Sequence, residues 1–266
     1  MGACTGRSVL VTGGAKGIGA ALVRRAAADG GRVVIADLDA EAGAALAEEV
    51  GARFEYTDVT DFAQVEAAVD TAAQAHGGLD VLHLNAGLTG PSESGPAQGI
   101  PYDLDSYRRT VAVNLDGVVY GVHAALPLMR HRPGASIVVT ASVAGVLFSP
   151  HTEVYTATKH AAVSFVRSLA RTFAADPVTF NALCPGFVDT ALIDPVREWL
   201  PHTDLGTVGN RILAPEAVAD LAERVIAERG DGDAWIVSAD VAPTRYPFEA
   251  EAELLERTLG AAHRGG

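Results

Sequence analysis

SVLVTGGAKGIGA, residues 8–20, is the stretch on which the fold turns. An apolar, β-branched run, Ser8–Thr12, passes directly into a turn carrying Gly13, Gly17 and Gly19, and helical periodicity begins at Ile18. One glycine would mark only a tight strand-to-helix turn. Three at this spacing, in the first strand–helix unit, let the backbone approach a pyrophosphate with no Cβ in the way. The helix that follows presents free N–H groups and a partial positive charge to that phosphate. The loop, residues 12–19, therefore reads as a dinucleotide site, with Thr12 at its entrance.

Outward from this unit the pattern repeats. Strand-like runs RVVIAD (Arg32–Asp37), RFEYTDV (53–59), LDVLHLNAG (79–87), ASIVVTAS (135–142), VTFNALCPG (178–186) and AWIVS (234–238) alternate with alanine-rich helical stretches. Helices are expected at 18–28, 40–50, 62–75, 104–129, 156–174 and 215–229. Continuous apolar strands separated by helices are what a parallel sheet covered on both faces requires. The expectation is an α/β chain forming one domain over residues 1–266, a doubly wound Rossmann fold with a seven-stranded parallel sheet and helices on both faces. No repeat or linker interrupts it. Two looser segments, 88–101 and 187–212, follow carboxyl ends of strands, where this architecture binds ligands; the second is read as a substrate lid.

Bulk properties narrow the function. The chain has 266 residues, 48% hydrophobic and 20% charged, with a net charge of −13. That acidity argues against nucleic acid or an anionic membrane as partner, since both want a basic face. Cys4 and Cys184 are too few for a disulfide scaffold or a multi-cysteine zinc site, while counting leaves histidine and carboxylate ligands open. No signal segment and no apolar run of about 18 residues is evident, so a cytoplasmic location is expected.

Charge near the loop bears on which dinucleotide binds. Asp37 ends the second strand, where a carboxylate accepts hydrogen bonds from the adenosine ribose hydroxyls and repels a 2′-phosphate. Lys16, inside the loop, points the other way, because a cation there attracts a 2′-phosphate. Asp37 should face the ribose itself and no arginine follows it, so NAD is favoured over NADP. Asp58 and Val59 can bracket the adenine, although Asp58 or Asp61 can equally cap the next helix. Asn85, Ala86 and Gly87 end the fourth strand with small side chains that leave room for a cofactor.

The chemistry points to YTATK, residues 155–159. Of twenty basic residues, only Lys16 and Lys159 are lysine. Residues four apart share a helix face, so Lys159 lies beside Tyr155 if a helix begins near Thr156. A phenol titrates near pH 10, and a neighbouring ammonium favours the phenolate; a shift of about three units takes about 4 kcal/mol. Lysine also has donors left for ribose hydroxyls. Ser142, ending the fifth strand, can hydrogen-bond the oxygen of a reacting carbonyl or alcohol. Asn114, inside the long helix, can organise a proton-relay water.

Taken together, residues 8–238 resemble the short-chain dehydrogenases/reductases, with their TGxxxGxG loop (Thr12, Gly13, Gly17, Gly19) and YxxxK active site (Tyr155, Lys159). Asp37, Asp58, Asn85-Ala86-Gly87, Asn114, Ser142, and Pro185-Gly186 with Thr190 match as well. The resemblance implies that Tyr155 is the general acid/base, Lys159 lowers its pKa and binds nicotinamide ribose, Ser142 orients substrate and Asn114 holds the relay water. It further implies that Pro185, Gly186 and Thr190 contact the nicotinamide. Ile18, Leu38 and Val188 complete the expected cofactor contacts. The implied activity is NAD-dependent interconversion of a secondary alcohol and a ketone, in a homotetramer or homodimer built on the helices at 104–129 and 156–174. Phe187, Leu192, Ile193 and Trp199 in the lid suggest a lipophilic substrate. The chain departs from the pattern at Leu84, where a first Asn is usual, at Ala141, where a second Ser is common, and at its carboxyl end, which lacks Val-Asp-Gly-Gly.

Overall fold

The computed structural model describes residues 2–90, 104–148, 152–194, 197, 211–239 and 241–249. Seven parallel strands form where the apolar runs predict them: β1 Ser8–Thr12, β2 Arg32–Asp37, β3 Arg53–Tyr56, β4 Val81–Leu84, β5 Ser136–Thr140, β6 Thr179–Pro185 and β7 Ala234–Val237. They lie in the order β3-β2-β1-β4-β5-β6-β7. An eighth strand, β8 (Thr244–Arg245), extends the sheet antiparallel to β7, pairing Trp235 with Arg245. The expected seven-stranded sheet is thus eight-stranded; a two-residue strand after Pro243 has too little length to show a period.

Alternation sends neighbouring side chains of a strand to opposite faces. Val9 and Val11 of β1 pack with α1 (Gly17–Ala28), α2 (Ala40–Val50) and α7 (Pro215–Glu228). Leu10, between them, joins α3 (Phe62–His76), α5 (Gly117–Met129) and α6 (Glu153–Thr172) on the other face. Phe180, Leu10, Leu82 and Ile137 are fully buried. Removing such a side chain from a parallel-sheet core typically costs about 2–5 kcal/mol.

Two helices differ from expectation, and both differences concern the site. α6 starts at Glu153 rather than near Thr156, so Tyr155 already lies within its first turn. The long helix is not continuous: α4 (Leu104–Val111) meets α5 through a π-helical turn, Ala112–Asp116, with Asn114 at its centre. Such turns, with i→i+5 bonds, concentrate at functional sites. By length and composition alone, Leu104–Met129 is apolar enough to cross a membrane. Its Val118, Val122, Ala125 and Met129 are buried in the core beside α3 and the sheet.

Strand order reverses between β1 and β4. The crevice at their carboxyl ends is the place where this architecture holds a ligand.

Candidate active site

The glycine loop folds as its composition requires. Gly13 and Gly17 take positive φ, +61° and +53°. A Cβ on Gly13 would stand 2.7 Å from the Ala86 Cα, and one on Gly19 would stand 1.9 Å from the Gly13 carbonyl. A Cβ on Gly17 would meet the Thr190 methyl at 2.9 Å. The loop is thus pressed between the β4 and β6 extensions, and only glycine fits. At its end, α1 begins after Lys16 with no side-chain cap, whereas α2 and α3 are capped by Asp39 and Asp61. The first N–H groups of α1, including that of Ile18, are left for an anion.

Asn85 is the strut beneath the loop. Its amide nitrogen donates to the Thr12 and Gly13 carbonyls at 3.2 and 3.0 Å, and its oxygen accepts from the Thr140 hydroxyl at 3.0 Å. The Thr12 hydroxyl accepts from the backbone of Asn85 and Ala86. At the end of β2, the Asp37 carboxylate accepts from Ala15 N–H and from Asp39 N–H, each at 2.9 Å. One oxygen therefore holds the glycine loop and the other holds the turn into α2, where Leu38 is half exposed. Lys16 does not reach Asp37; its ammonium sits 2.5 Å from Asp39. Asp58 accepts from the N–H and hydroxyl of Thr60 at the surface, and Asp61 caps α3. Val59 is buried against Gly117.

Around the far side of the crevice, the chemical residues converge. Lys159 is 4% exposed and donates to the Thr140 carbonyl at 2.8 Å. Its other two protons have no acceptor among the described residues. Burial pulls its ammonium down to about 8, against a smaller opposing effect of the Cys184 thiol. The Lys159 ammonium lies 5.6 Å from the centroid of the Tyr155 ring. Tyr155 itself is partly buried, and that burial raises its pKa, while a hydrogen bond from the Ser142 hydroxyl pulls it back. Burial therefore prevails over the Ser142 hydrogen bond, and the phenol stands above its ordinary value.

Ser142 is buried and opens a short 3₁₀ turn, Val143–Gly145, its oxygen accepting from Ala144 N–H at 3.1 Å. Asn114, fully buried, grips the backbone of Leu88 in both directions, donating to its carbonyl at 2.8 Å and accepting from its N–H at 2.9 Å. It also donates to Thr158. Its side-chain amide is thus paired with Leu88 and Thr158. Between them lies Gly87: a Cβ there would stand 3.4 Å from both the Asn114 Oδ1 and the Lys159 Nζ. Pro185 ends β6, Gly186 is tied to the Val237 carbonyl at 2.8 Å, and Val188 is buried and bridges to Leu213. Leu213 also bonds Phe187 and Asp189, so the two ends of 187–212 are tied together. Leu192 is exposed and Ile193 buried on a 3₁₀ turn; Trp199, like most of 88–101, lies outside the described residues.

Sequence reasoning missed Asp39, Thr140 and Thr158. Asp39 had a signal, an acidic residue immediately before a helical stretch. Thr140 had none, since its carbonyl is what Lys159 uses, and a carbonyl belongs to every residue.

Fold and site together define an NAD(P)-dependent oxidoreductase acting on CH–OH groups. A family model described as short chain dehydrogenase matches residues 7–201, and the chain belongs to that family. It is 37% identical over 224 residues, 83% of this chain and 82% of the relative, to a 3-alpha-(or 20-beta)-hydroxysteroid dehydrogenase of Mycobacterium tuberculosis. A 3-ketoacyl-(acyl-carrier-protein) reductase from Brucella melitensis, solved with NADH, superposes with a TM-score of 0.80 at 28% identity over 89% of this chain and 98% of that one. A short chain dehydrogenase from Burkholderia cenocepacia, solved with NADP, gives 0.77 at 29% identity over 88% and 97%.

Proposed function

We propose that the protein uses NAD to interconvert a lipophilic secondary alcohol and its ketone, oxidation being the physiological direction. The observation that carries this reading is that Tyr155, hydrogen-bonded to Ser142, lies beside the Lys159 ammonium, which stands with Asn114 next to Gly87. There the absent Cβ leaves open the space between Lys159 and Asn114, beside a loop built for a pyrophosphate.

The residues fit the dinucleotide. The uncapped amino terminus of α1 would take the pyrophosphate, with Thr12 to Gly19 around it. Each oxygen of Asp37 keeps acceptor capacity for a ribose hydroxyl. Leu38, Asp58 and Val59 would border the adenine. Asn85, Ala86 and Gly87 leave space for the nicotinamide ribose, whose hydroxyls the two unused protons of Lys159 would hold. Pro185, Gly186, Val188 and Thr190 would back the nicotinamide. When bound, that ring supplies the two-electron acceptor for the hydrogen on the carbinol carbon.

The chain's own residues handle the proton. Tyr155 removes it from the substrate hydroxyl in oxidation and returns it in reduction, while the Ser142 hydroxyl holds the same oxygen. Lys159 is the cation placed to favour the phenolate. Asn114 fixes Leu88 and Thr158 around the lysine, and a relay water belongs beside it. Residues 187–212, joined at their ends by Val188 and Leu213, act as the substrate lid of one domain spanning the chain. Phe187 and Leu192 support an apolar substrate, as does the likeness to a hydroxysteroid dehydrogenase. A homotetramer or homodimer would form through Leu104–Met129 and α6, where Leu104, Val119 and Leu128 are exposed.

The test is the appearance of reduced nicotinamide when the purified protein meets secondary alcohols, hydroxysteroids included, with NAD and NADP in parallel. Turnover with NAD supports the reading. A clear preference for NADP would replace it with a carbonyl reductase, a reading the NADP-bound neighbour favours. Binding without turnover would make the chain a dinucleotide-binding regulator.

A further inference from the structure

The loop's only cation is already engaged. Lys16, the residue before Gly17, lies 2.5 Å from Asp39 Oδ2, with side chains 72% and 36% exposed. An ion pair this exposed adds little to stability, so its consequence lies in where it holds the ammonium. The other Asp39 oxygen accepts from Ala42 N–H at 3.0 Å and caps α2, which fixes the carboxylate in place. Asp37 and Glu41 face the same ammonium more weakly, and all three carboxylates raise its pKa, Asp39 most. Lys16 therefore stands in an acidic surround, one strand end away from where an adenosine ribose would meet Asp37.

A 2′-phosphate brings nearly two negative charges to that ribose. Against Asp37 it needs a free cation, and Lys16 is the one within the loop. We propose that Asp39 is a cofactor-selecting residue: by holding the Lys16 ammonium on its carboxylate it withholds that cation from a 2′-phosphate and so reinforces the choice of NAD. The inference rests on the reading of the loop as a dinucleotide site. Asp39 acts through Lys16 and is a positioning residue. Asp37 does not depend on the Asp39 side chain, because its oxygens are held by the backbone N–H groups of Ala15 and Asp39.

The test is isothermal titration of the intact protein with NAD and with NADP, reading the ratio of the two dissociation constants. Asp39→Asn removes the charge and keeps a good helix cap; Asp39→Ser is the second variant, should the first fold poorly. In either, the preference for NAD over NADP is expected to shrink about threefold to fivefold, the most that an ion pair this exposed can withhold. Adding Lys16→Met to Asp39→Asn should return the native ratio, a rescue that a merely structural role for Asp39 would not produce. Lys16→Met should also weaken NADP binding several-fold more in the Asp39→Asn background than in the native one. An unchanged ratio in both position-39 variants overturns the proposal, as does a shift that Lys16→Met fails to reverse. A native protein that binds neither dinucleotide overturns the loop assignment itself, a failure visible before any variant is made.

Discussion

The two ends of the sheet treat buried polarity in opposite ways. At the amino end, the Arg7 guanidinium donates to the carbonyls of Ala3, Asp80 and Gly134. Asp80 accepts from Ser8 N–H at 2.9 Å and from the Arg132 guanidinium at 2.7 Å. Burial works against the Asp80 carboxylate, yet these bonds prevail and hold its pKa below the usual carboxylate range. At the carboxyl end the outcome reverses. Lys159 has one acceptor and is pushed down to about 8; the Tyr155 phenol is pushed up; Cys184 beside them is pushed to about 12. The Asp80 carboxylate is thus satisfied by the chain itself, although burial pulls Arg7 beside it down. Lys159, Tyr155 and Cys184 are buried at a loss, as groups of a ligand site often are.

The largest effect that could break this comparison is at Tyr155. Tyr155→Phe keeps the ring and deletes the hydroxyl, so turnover is expected to fall at least about a thousandfold, about 4 kcal/mol in the barrier, with dinucleotide binding preserved. Near-native turnover would sink the catalytic assignment.

Next is the charge on Lys159. Its folded pKa lies below its unfolded value, so below about pH 8 both states carry the proton and the folded state bears the burial penalty. Between about 8 and 10.5 the folded state sheds its proton first, the unfolded state binds more protons, and stability rises with pH. The gain is as much as about 3 kcal/mol. Urea unfolding across that range should show a steeper rise for the native chain than for Lys159→Met; parallel curves would mean the ammonium is not burdened.

The amino end gives the mirror experiment. Asp80→Ala orphans the buried Ser8 N–H and frees Arg132, and should cost about 2 kcal/mol of stability while leaving kcat/KM as it was. Because the folded pKa of Asp80 is depressed, its contribution is present above about pH 4 and fades as the pH falls through the lower folded value. A loss of activity that tracked the loss of stability would mean the two ends are coupled and the contrast false.

How far all this was legible in the sequence follows the same division. The strands and the glycine loop were readable because apolar runs and three glycines are side-chain signals. Tyr155 and Lys159 were readable as a pair, but the α6 start was placed late, because Val154 and Tyr155 are weak helix formers that tertiary packing overrides. The π turn at Asn114 was not readable: a shift from i→i+4 to i→i+5 bonding is a backbone event. β8 was missed for want of length. The acceptor of Lys159 is a carbonyl and the partner of Lys16 is a helix cap, so neither announces itself as part of a site.

The smallest expected effect sharpens the contrast most. Gly87 has ordinary backbone angles, and a Cβ there would touch the Asn114 Oδ1 and the Lys159 Nζ at 3.4 Å, ordinary van der Waals contact. Gly87→Ala should therefore leave stability within about 0.5 kcal/mol of native. The methyl group would nevertheless stand beside the Lys159 ammonium, where the proposed nicotinamide ribose would lie. Dinucleotide affinity should fall about tenfold, or 1.4 kcal/mol, as measured by titration on protein whose melting temperature is unchanged. Gly19→Ala is the contrasting case: its Cβ would lie 1.9 Å from the Gly13 carbonyl, so the loop itself must deform and stability and binding fall together. If Gly87→Ala bound NAD as well as the native chain, the space beside Lys159 would be mere packing slack, and the carboxyl end would hold its polar groups for no ligand.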